Sequence, residues 1–187
     1  MSYKIVKEEN VYKDYLKIRK ASIERSSYNK DTVTFTRETL AHGDAIAILI
    51  YEKDSNSFLL TKQFRYPTSI NGDSWMTEIP AGMVDKGEKP EDTAKRETME
   101  ELGYEIKEVT QIGTYYSSPG SSTERVYMYF AEVTSNDKIA TGGGLDTEHE
   151  DIELIKVPVS EAKEFMRTVN DFKTMIGFQW YFLNKEV

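Results

Sequence analysis

The chain has 187 residues, a net charge of −8 and a pI near 5.0, with 39% hydrophobic and 12% aromatic residues. That suits one sizeable domain, or a domain with a small appendage, with a real apolar core. The absence of Cys excludes disulfides, zinc–thiolate centres and Cys nucleophiles, two His are too few for a His-based metal site, and the acidic charge argues against nucleic-acid binding.

In chain order, the start, MSYKIVKEENVYKDY, has no apolar h-region and no small-residue cleavage site, so no signal peptide is expected. No run approaches the roughly 18 apolar residues of a membrane span. A cytoplasmic protein without membrane contact is the expectation. Tyr15–Arg25 alternates loosely and Thr32–Leu40 is rich in β-branched residues, which reads as a hairpin around the polar turn Ser26–Asp31. A charged amphipathic helix over Asn10–Arg25 is the alternative. Residues 1–40 are taken as a strand subdomain and 41–187 as the main domain. Ala45–Tyr51 is a continuous apolar run, as in a fully buried strand, and Phe58–Phe64 returns after a turn. Ser69–Asp73 carries an Asn-Gly turn signal, and Trp75–Pro80 is extended. Pro90 opens a helix whose first turn holds Glu91 and Asp92, complementing the helix dipole, and Gly103 ends it. Val109–Tyr116 and Arg125–Thr134 read as antiparallel strands. Ile139–His149 is a Gly-rich loop without dinucleotide-binding spacing. A strand over Ile152–Val159, a helix capped by Ser160 and a last helix over Asp171–Asn184 complete a mixed α/β pattern.

The chemistry concentrates in Gly82–Tyr104, GMVDKGEKPEDTAKRETMEELGY. On a helix, Glu97, Glu100 and Glu101 share a face, and Arg96 reaches Glu100 at i,i+4. Three converging carboxylates repel one another unless a cation sits among them. All-oxygen ligation suits Mg²⁺, with Mn²⁺ as a substitute. Carboxylate-bound divalent cations mainly serve phosphate chemistry, and they make an anionic substrate compatible with an acidic protein. The alternative is a solvated helix laced with ion pairs.

The stretch resembles the Nudix box, G-x5-E-x7-R-E-U-x-E-E-x-G-U. Gly82, Glu88, Arg96, Glu97, Glu100, Glu101 and Gly103 fill its fixed positions, and Thr98 stands where a bulky apolar residue is usual. The resemblance implies an α/β/α sandwich around a mixed sheet, here with an N-terminal hairpin-like extension. It also implies hydrolysis of a nucleoside diphosphate linked to another group. Carried over, Glu97 and Glu101 are metal ligands, Glu100 a further one, and the Ala81 carbonyl another. Arg96 holds the helix carboxylates, and Glu88 braces the loop. The lead-in EIPAG (Glu78–Gly82) and SSPGSSTER, with Pro119 and Glu124, resemble the ADP-ribose and nucleotide-sugar pyrophosphatase branch. GGGLDTEHEDIEL is similar to its late catalytic loop, whose acid acts on the attacking water; Glu148 aligns first and Glu150 second. Arg65 and Arg37 resemble substrate-site arginines, the latter reaching across the interface of a homodimer. EIPAG and Pro119 favour ADP-ribose. Gly142-Gly143-Gly144, Ile70–Gly72 and DFKT look closer to GDP-mannose-type members, so ADP-ribose stands first and GDP-mannose second. A ligand sensor without catalysis, and hydrolysis of oxidised triphosphates or RNA caps, are the competing readings.

Overall fold

The computed structural model describes residues 1–29 and 31–185. The chain divides into two compact units, one of Met1–Asp44 with Tyr116–Arg125, the other of Ala45–Tyr115 with Val126–Val187.

In the first unit, β1 (Tyr3–Lys13), β2 (Lys17–Ser26) and β3 (Thr32–Leu40) form an antiparallel sheet in sequence order. The sequence suggested only the hairpin of β2 and β3; β1 is a third strand, and no helix covers Asn10–Arg25. Every residue of β1 is exposed, and its apolar residues Tyr3, Ile5, Val6, Val11 and Tyr12 do not keep a strict alternation, so no period marks the strand in sequence. Residues 116–125 return to this unit. Leu40 N–H donates to the Ser121 carbonyl at 2.8 Å, and Thr123 N–H donates to the Leu40 carbonyl at 3.0 Å.

The second unit is a seven-stranded mixed sheet with helices on both faces. Its strands are β4 (Ala45–Glu52), β5 (Ser57–Phe64), β6 (Trp75–Glu78), β7 (Ala81–Met83), β8 (Thr110–Tyr116), β9 (Arg125–Val133) and β10 (Glu153–Pro158). The order is β10-β5-β4-β9-β8, with β6 on β5 and β7 on β4. β4 and β9 run parallel over their full lengths. β4 and β5 pair only at Ile50–Glu52 with Ser57–Leu59 and then part. β7 takes the free half of β4, and β6 the free half of β5. This opening brings Glu78, Ala81 and Gly82 into the middle of the sheet.

The helices are α1 (Tyr66–Ser69), α2 (Pro90–Leu102), α3 (Val159–Phe165) and α4 (Phe172–Asn184). The period-2 alternation of β4 builds two cores. Ile46, Ile48 and Ile50 pack with Ala94 and Leu102 of α2. Ala47 and Leu49 pack on the other face with Ala162 of α3 and Phe178 and Tyr181 of α4. Each fully buried Ile, Leu or Phe among them contributes roughly 1.5–3 kcal/mol. The apolar run of β4 is therefore a strand covered on both faces. The aromatic cluster of α4 is core: Phe178 and Tyr181 meet Phe58 edge-on at 4.8 and 4.7 Å.

Two local expectations change. The Asn-Gly signal does not make a hairpin turn by itself; the short α1 precedes it, and Gly72 sits at φ 98°. The α3 helix begins after Pro158, with Val159 as its first residue, so Ser160 lies inside it and does not cap it. Asp171 caps α4 by accepting the Thr174 N–H at 2.9 Å.

Candidate active site

Helix α2 displays its carboxylates as the spacing demands. Arg96 is the hub. Its Nη1 lies 2.8 Å from Glu100 and 2.9 Å from Glu97, and its Nε donates to Glu88 at 3.2 Å. Nη2 reaches the Met83 carbonyl at 3.3 Å. Burial works against the Arg96 charge, but these acids outweigh it and raise the guanidinium's pKa. Glu88 also accepts from Thr93 at 2.8 Å, and the bond from Arg96 holds it below the ordinary carboxylate range. Glu88 thus joins the loop to the helix. Thr98, the unusual residue of the box, is fully buried and donates its hydroxyl to the Ala94 carbonyl at 2.8 Å, so its polarity is satisfied within the helix.

Glu97 and Glu101 lie deeper. A Cβ built on Gly82 would fall 2.0 Å from the Glu97 carboxyl, so only glycine lets that carboxylate rest on β7. Burial pushes Glu97 up to about 7; Arg96 opposes the shift, and the charges of Glu100 and Glu150 add to it. Glu101 is 2% exposed and rises well above its usual range, through burial first, then through Glu97 and Glu150. Its Oε2 is the one buried side-chain oxygen without a hydrogen-bond partner among the described residues. Buried polar atoms almost always find a partner, so this orphan calls for one.

A third acid comes from the loop after β9. Glu150 is partly buried, its Oε2 accepts the Leu145 N–H at 3.1 Å, and its charge acts on both Glu97 and Glu101. Glu148 is exposed on a one-turn 3₁₀ helix, Asp146–Glu148, that ends at His149 with φ 56°. The structure therefore gathers Glu97, Glu101 and Glu150, with Glu100 turned onto Arg96. As they stand, no three His, Cys, Asp or Glu side chains among the described residues close around one point. The orphaned Glu101 oxygen, the mutual repulsion and the all-oxygen donor set nevertheless fit a hard divalent cation. Ala81, the proposed carbonyl donor, pairs with Ala47 on the adjoining strand.

On the sheet side of this group sits a second charged array. Arg65 Nε donates to Glu78 Oε1 at 2.7 Å, and Lys173 Nζ donates to Glu78 Oε2 at 3.1 Å and to Asp171 at 2.6 Å. Glu78 is 4% exposed and fully paired. The Arg65 charge reaches Glu101 and opposes its protonation. No acceptor among the described residues engages the two terminal nitrogens of Arg65. Sequence reasoning noted Lys173 only as part of DFKT, because its partner Glu78 lies 95 positions away.

The other candidates belong to the first unit. Arg37 is exposed on β3, stacks over Phe35 at 4.6 Å and donates to its neighbour's carbonyl, Thr36, at 2.9 Å. Pro119 is exposed, and Glu124 is partly buried with an oxygen 3.1 Å from His42 Nδ1.

The NUDIX domain profile matches residues 41–176, and the chain belongs to the Nudix family of hydrolases, whose members generally use divalent metals. It is 33% identical to the GDP-mannose pyrophosphatase of Salmonella arizonae over 92% of this chain and 91% of that one. The GDP-mannose pyrophosphatase of an Enterobacter species is 32% identical over 96% and 95%. In fold it is similar to a solved ADP compounds hydrolase, with a TM-score of 0.77 and 16% identity over 100% of this chain and 98% of that one. Among the described residues no helix is long and apolar enough to cross a membrane.

Proposed function

We propose that the chain hydrolyses the diphosphate bond of a nucleotide sugar, GDP-mannose first, to a nucleoside monophosphate and a sugar 1-phosphate. One observation carries the reading: in a chain of this family, a buried Glu101 with an orphaned oxygen feels the charges of Glu97 and Glu150, and the opposing charges of Arg96 on Glu97 and Arg65 on Glu101 do not cancel the upward shift. Glu97, Glu101 and the Ala81 carbonyl would hold Mg²⁺, with Mn²⁺ able to replace it. When bound, such a cation neutralises the diphosphate and lowers the pKa of a water. Glu100, tied to Arg96, is a reserve ligand, and Arg96 keeps the helix acids in register. Arg65 is braced through Nε, and its two terminal nitrogens present a fork that suits a phosphate. Glu150 receives the proton of the attacking water. The water oxygen bonds to one phosphorus, the bridging P–O bond breaks, and the second phosphate leaves with the electron pair. Of the two late-loop acids, Glu150 takes this role ahead of Glu148 because its charge is felt at both Glu97 and Glu101.

Relatives named GDP-mannose pyrophosphatase at 32–33% identity over more than nine-tenths of the chain support placing GDP-mannose ahead of ADP-ribose. EIPAG and Pro119 keep ADP-ribose as the second reading. We place the action in the cytoplasm and in a homodimer. The exposed apolar residues of β1, among them Tyr3 at 76%, Ile5 at 51% and Tyr12 at 51%, support a second copy as the occupant of that strand. On the family resemblance alone, Arg37, Pro119 and Glu124 are proposed as substrate-binding residues.

The test is a product assay with Mg²⁺ over GDP-mannose, ADP-ribose, ADP-glucose, NADH and dGTP. GMP from GDP-mannose as the fastest product supports the first reading, and AMP from ADP-ribose as the fastest supports the second. Silence with every compound leaves a ligand sensor in place of an enzyme.

A further inference from the structure

The last four carbonyls of a helix have no partner within it and need donors from elsewhere. In α2 and its cap, one downstream segment, Lys138–Gly144, supplies almost all of them. Gly144 N–H donates to the Glu100 carbonyl at 3.0 Å, and Gly143 N–H donates to the Glu101 carbonyl at 2.9 Å. Lys138 Nζ donates to the Leu102 carbonyl at 3.1 Å. Ile139 and Ala140 N–H both donate to the Gly103 carbonyl, at 2.9 and 3.1 Å. The helix that carries Glu97 and Glu101 is thus closed by the backbone of the loop that carries Glu150.

The close fit requires glycine. Gly142, Gly143 and Gly144 have φ of 71°, 108° and 85°, a run that other residues adopt only with strain. The three differ in what a side chain would meet. A Cβ at Gly143 finds only the Ile152 carbonyl at 3.9 Å. A Cβ at Gly144 would lie 2.5 Å from Glu150 Cβ and 2.6 Å from its Oε2. Glu150 therefore lies directly against Gly144, and its Oε2 accepts the N–H of the next residue, Leu145.

We infer that Gly144 is a positioning residue: its backbone caps α2 at Glu100, and its missing side chain leaves the space in which Glu150 is held toward Glu97 and Glu101. The proposal rests on the catalytic role assigned to Glu150. It separates backbone strain, common to Gly143 and Gly144, from contact with Glu150, which is special to Gly144.

The experiment compares Gly143→Ala, Gly144→Ala and Glu150→Gln, and the double variant Gly144→Ala/Glu150→Gln, by kcat and KM on the substrate the wild-type protein turns over fastest. The expected result is a kcat about 10²-fold lower in Gly144→Ala with KM nearly unchanged, the cost of misplacing one reacting group. Gly143→Ala should lose far less, and Gly144→Ala should cost almost nothing further once Glu150 is Gln. Equal losses in the two glycine variants, or full additivity in the double variant, would overturn the proposal while leaving Glu150 its role. Wild-type turnover in Glu150→Gln would overturn the assigned role and the proposal together. Amide hydrogen exchange on the wild-type chain needs no variant: Gly143 and Gly144 should be protected like the interior of α2, and rapid exchange at both would refute the capping.

Discussion

Two buried glutamates in the same unit have opposite surroundings. Glu52, at the end of β4, is 0% exposed and accepts bonds from the Ser55 hydroxyl, the Lys156 ammonium and, at 2.5 Å, the Tyr104 hydroxyl. Burial opposes its charge, but those three donors prevail and hold it below the usual carboxylate range. Glu101, on α2, is 2% exposed, carries an oxygen with no donor, and is pushed well above that range by burial and by the charges of Glu97, Glu150 and Glu78. Burying a charge costs several kcal/mol unless partners are supplied. Where the chain supplies them, the glutamate is a strut. Where it withholds them and adds like charges, we propose that the missing partner is a cation from outside. Glu78 repeats the first case, with Arg65 and Lys173 as its donors.

The comparison can be broken at either end. The largest effect is expected from Glu101→Gln. Turnover should fall by at least about 10³-fold, because a neutral amide holds a divalent cation poorly. The thermal midpoint without metal should not drop, since the change removes a repelled charge. A large loss of stability would make Glu101 a strut after all. Glu52→Gln should do the reverse. It should cost about 1–3 kcal/mol by unpairing buried donors, with kcat per folded molecule close to wild type. A catalytic defect at normal stability would move Glu52 into the site.

How much of this was legible beforehand follows from where the partners lie in sequence. The acids of α2 are three and four residues apart, and Arg96 reaches Glu100 within one turn, so helical geometry alone groups them. The strands β4, β5 and β9 announce themselves by apolar runs, and the mixed sheet between helices follows from their order. Tyr104 and Glu52, by contrast, are 52 positions apart, and Lys173 and Glu78 are 95. No local pattern encodes such a bond. The preference proposed for Glu150 over Glu148 rests on a charge that reaches Glu97 and Glu101 from a distant loop, which no motif encodes. β1 was hidden for a different reason: all its residues are exposed, and its apolar ones are too irregularly spaced to give a period.

A smaller effect sharpens the comparison through pH. Glu97 has a folded pKa of about 7, above the ordinary 4.5. A raised carboxyl pKa favours the protonated folded state, so its ionisation removes stability as pH rises through the interval from about 4.5 to about 7. In metal-free protein, Glu97→Gln should therefore be more stable than wild type at pH 8, by roughly 1–3 kcal/mol, and equal to it near pH 4. Denaturant melts at the two pH values check this, and a wild type that gains stability from pH 5 to pH 8 relative to the variant would contradict it. The smallest effect concerns β1. Ile5→Lys together with Val11→Lys should leave the second unit folded and shift the chain toward monomers in light scattering. An unchanged mass would remove β1 from the interface.

The central claim is that the orphaned Glu101 of α2 takes a divalent cation as its partner while the paired Glu52 does not. The direct measurement is Mn²⁺ binding, followed by electron paramagnetic resonance, to wild type, Glu101→Gln and Glu52→Gln at pH 8. Binding by wild type and Glu52→Gln, and its loss in Glu101→Gln, is the predicted result. Equal binding by Glu101→Gln and wild type would contradict the account.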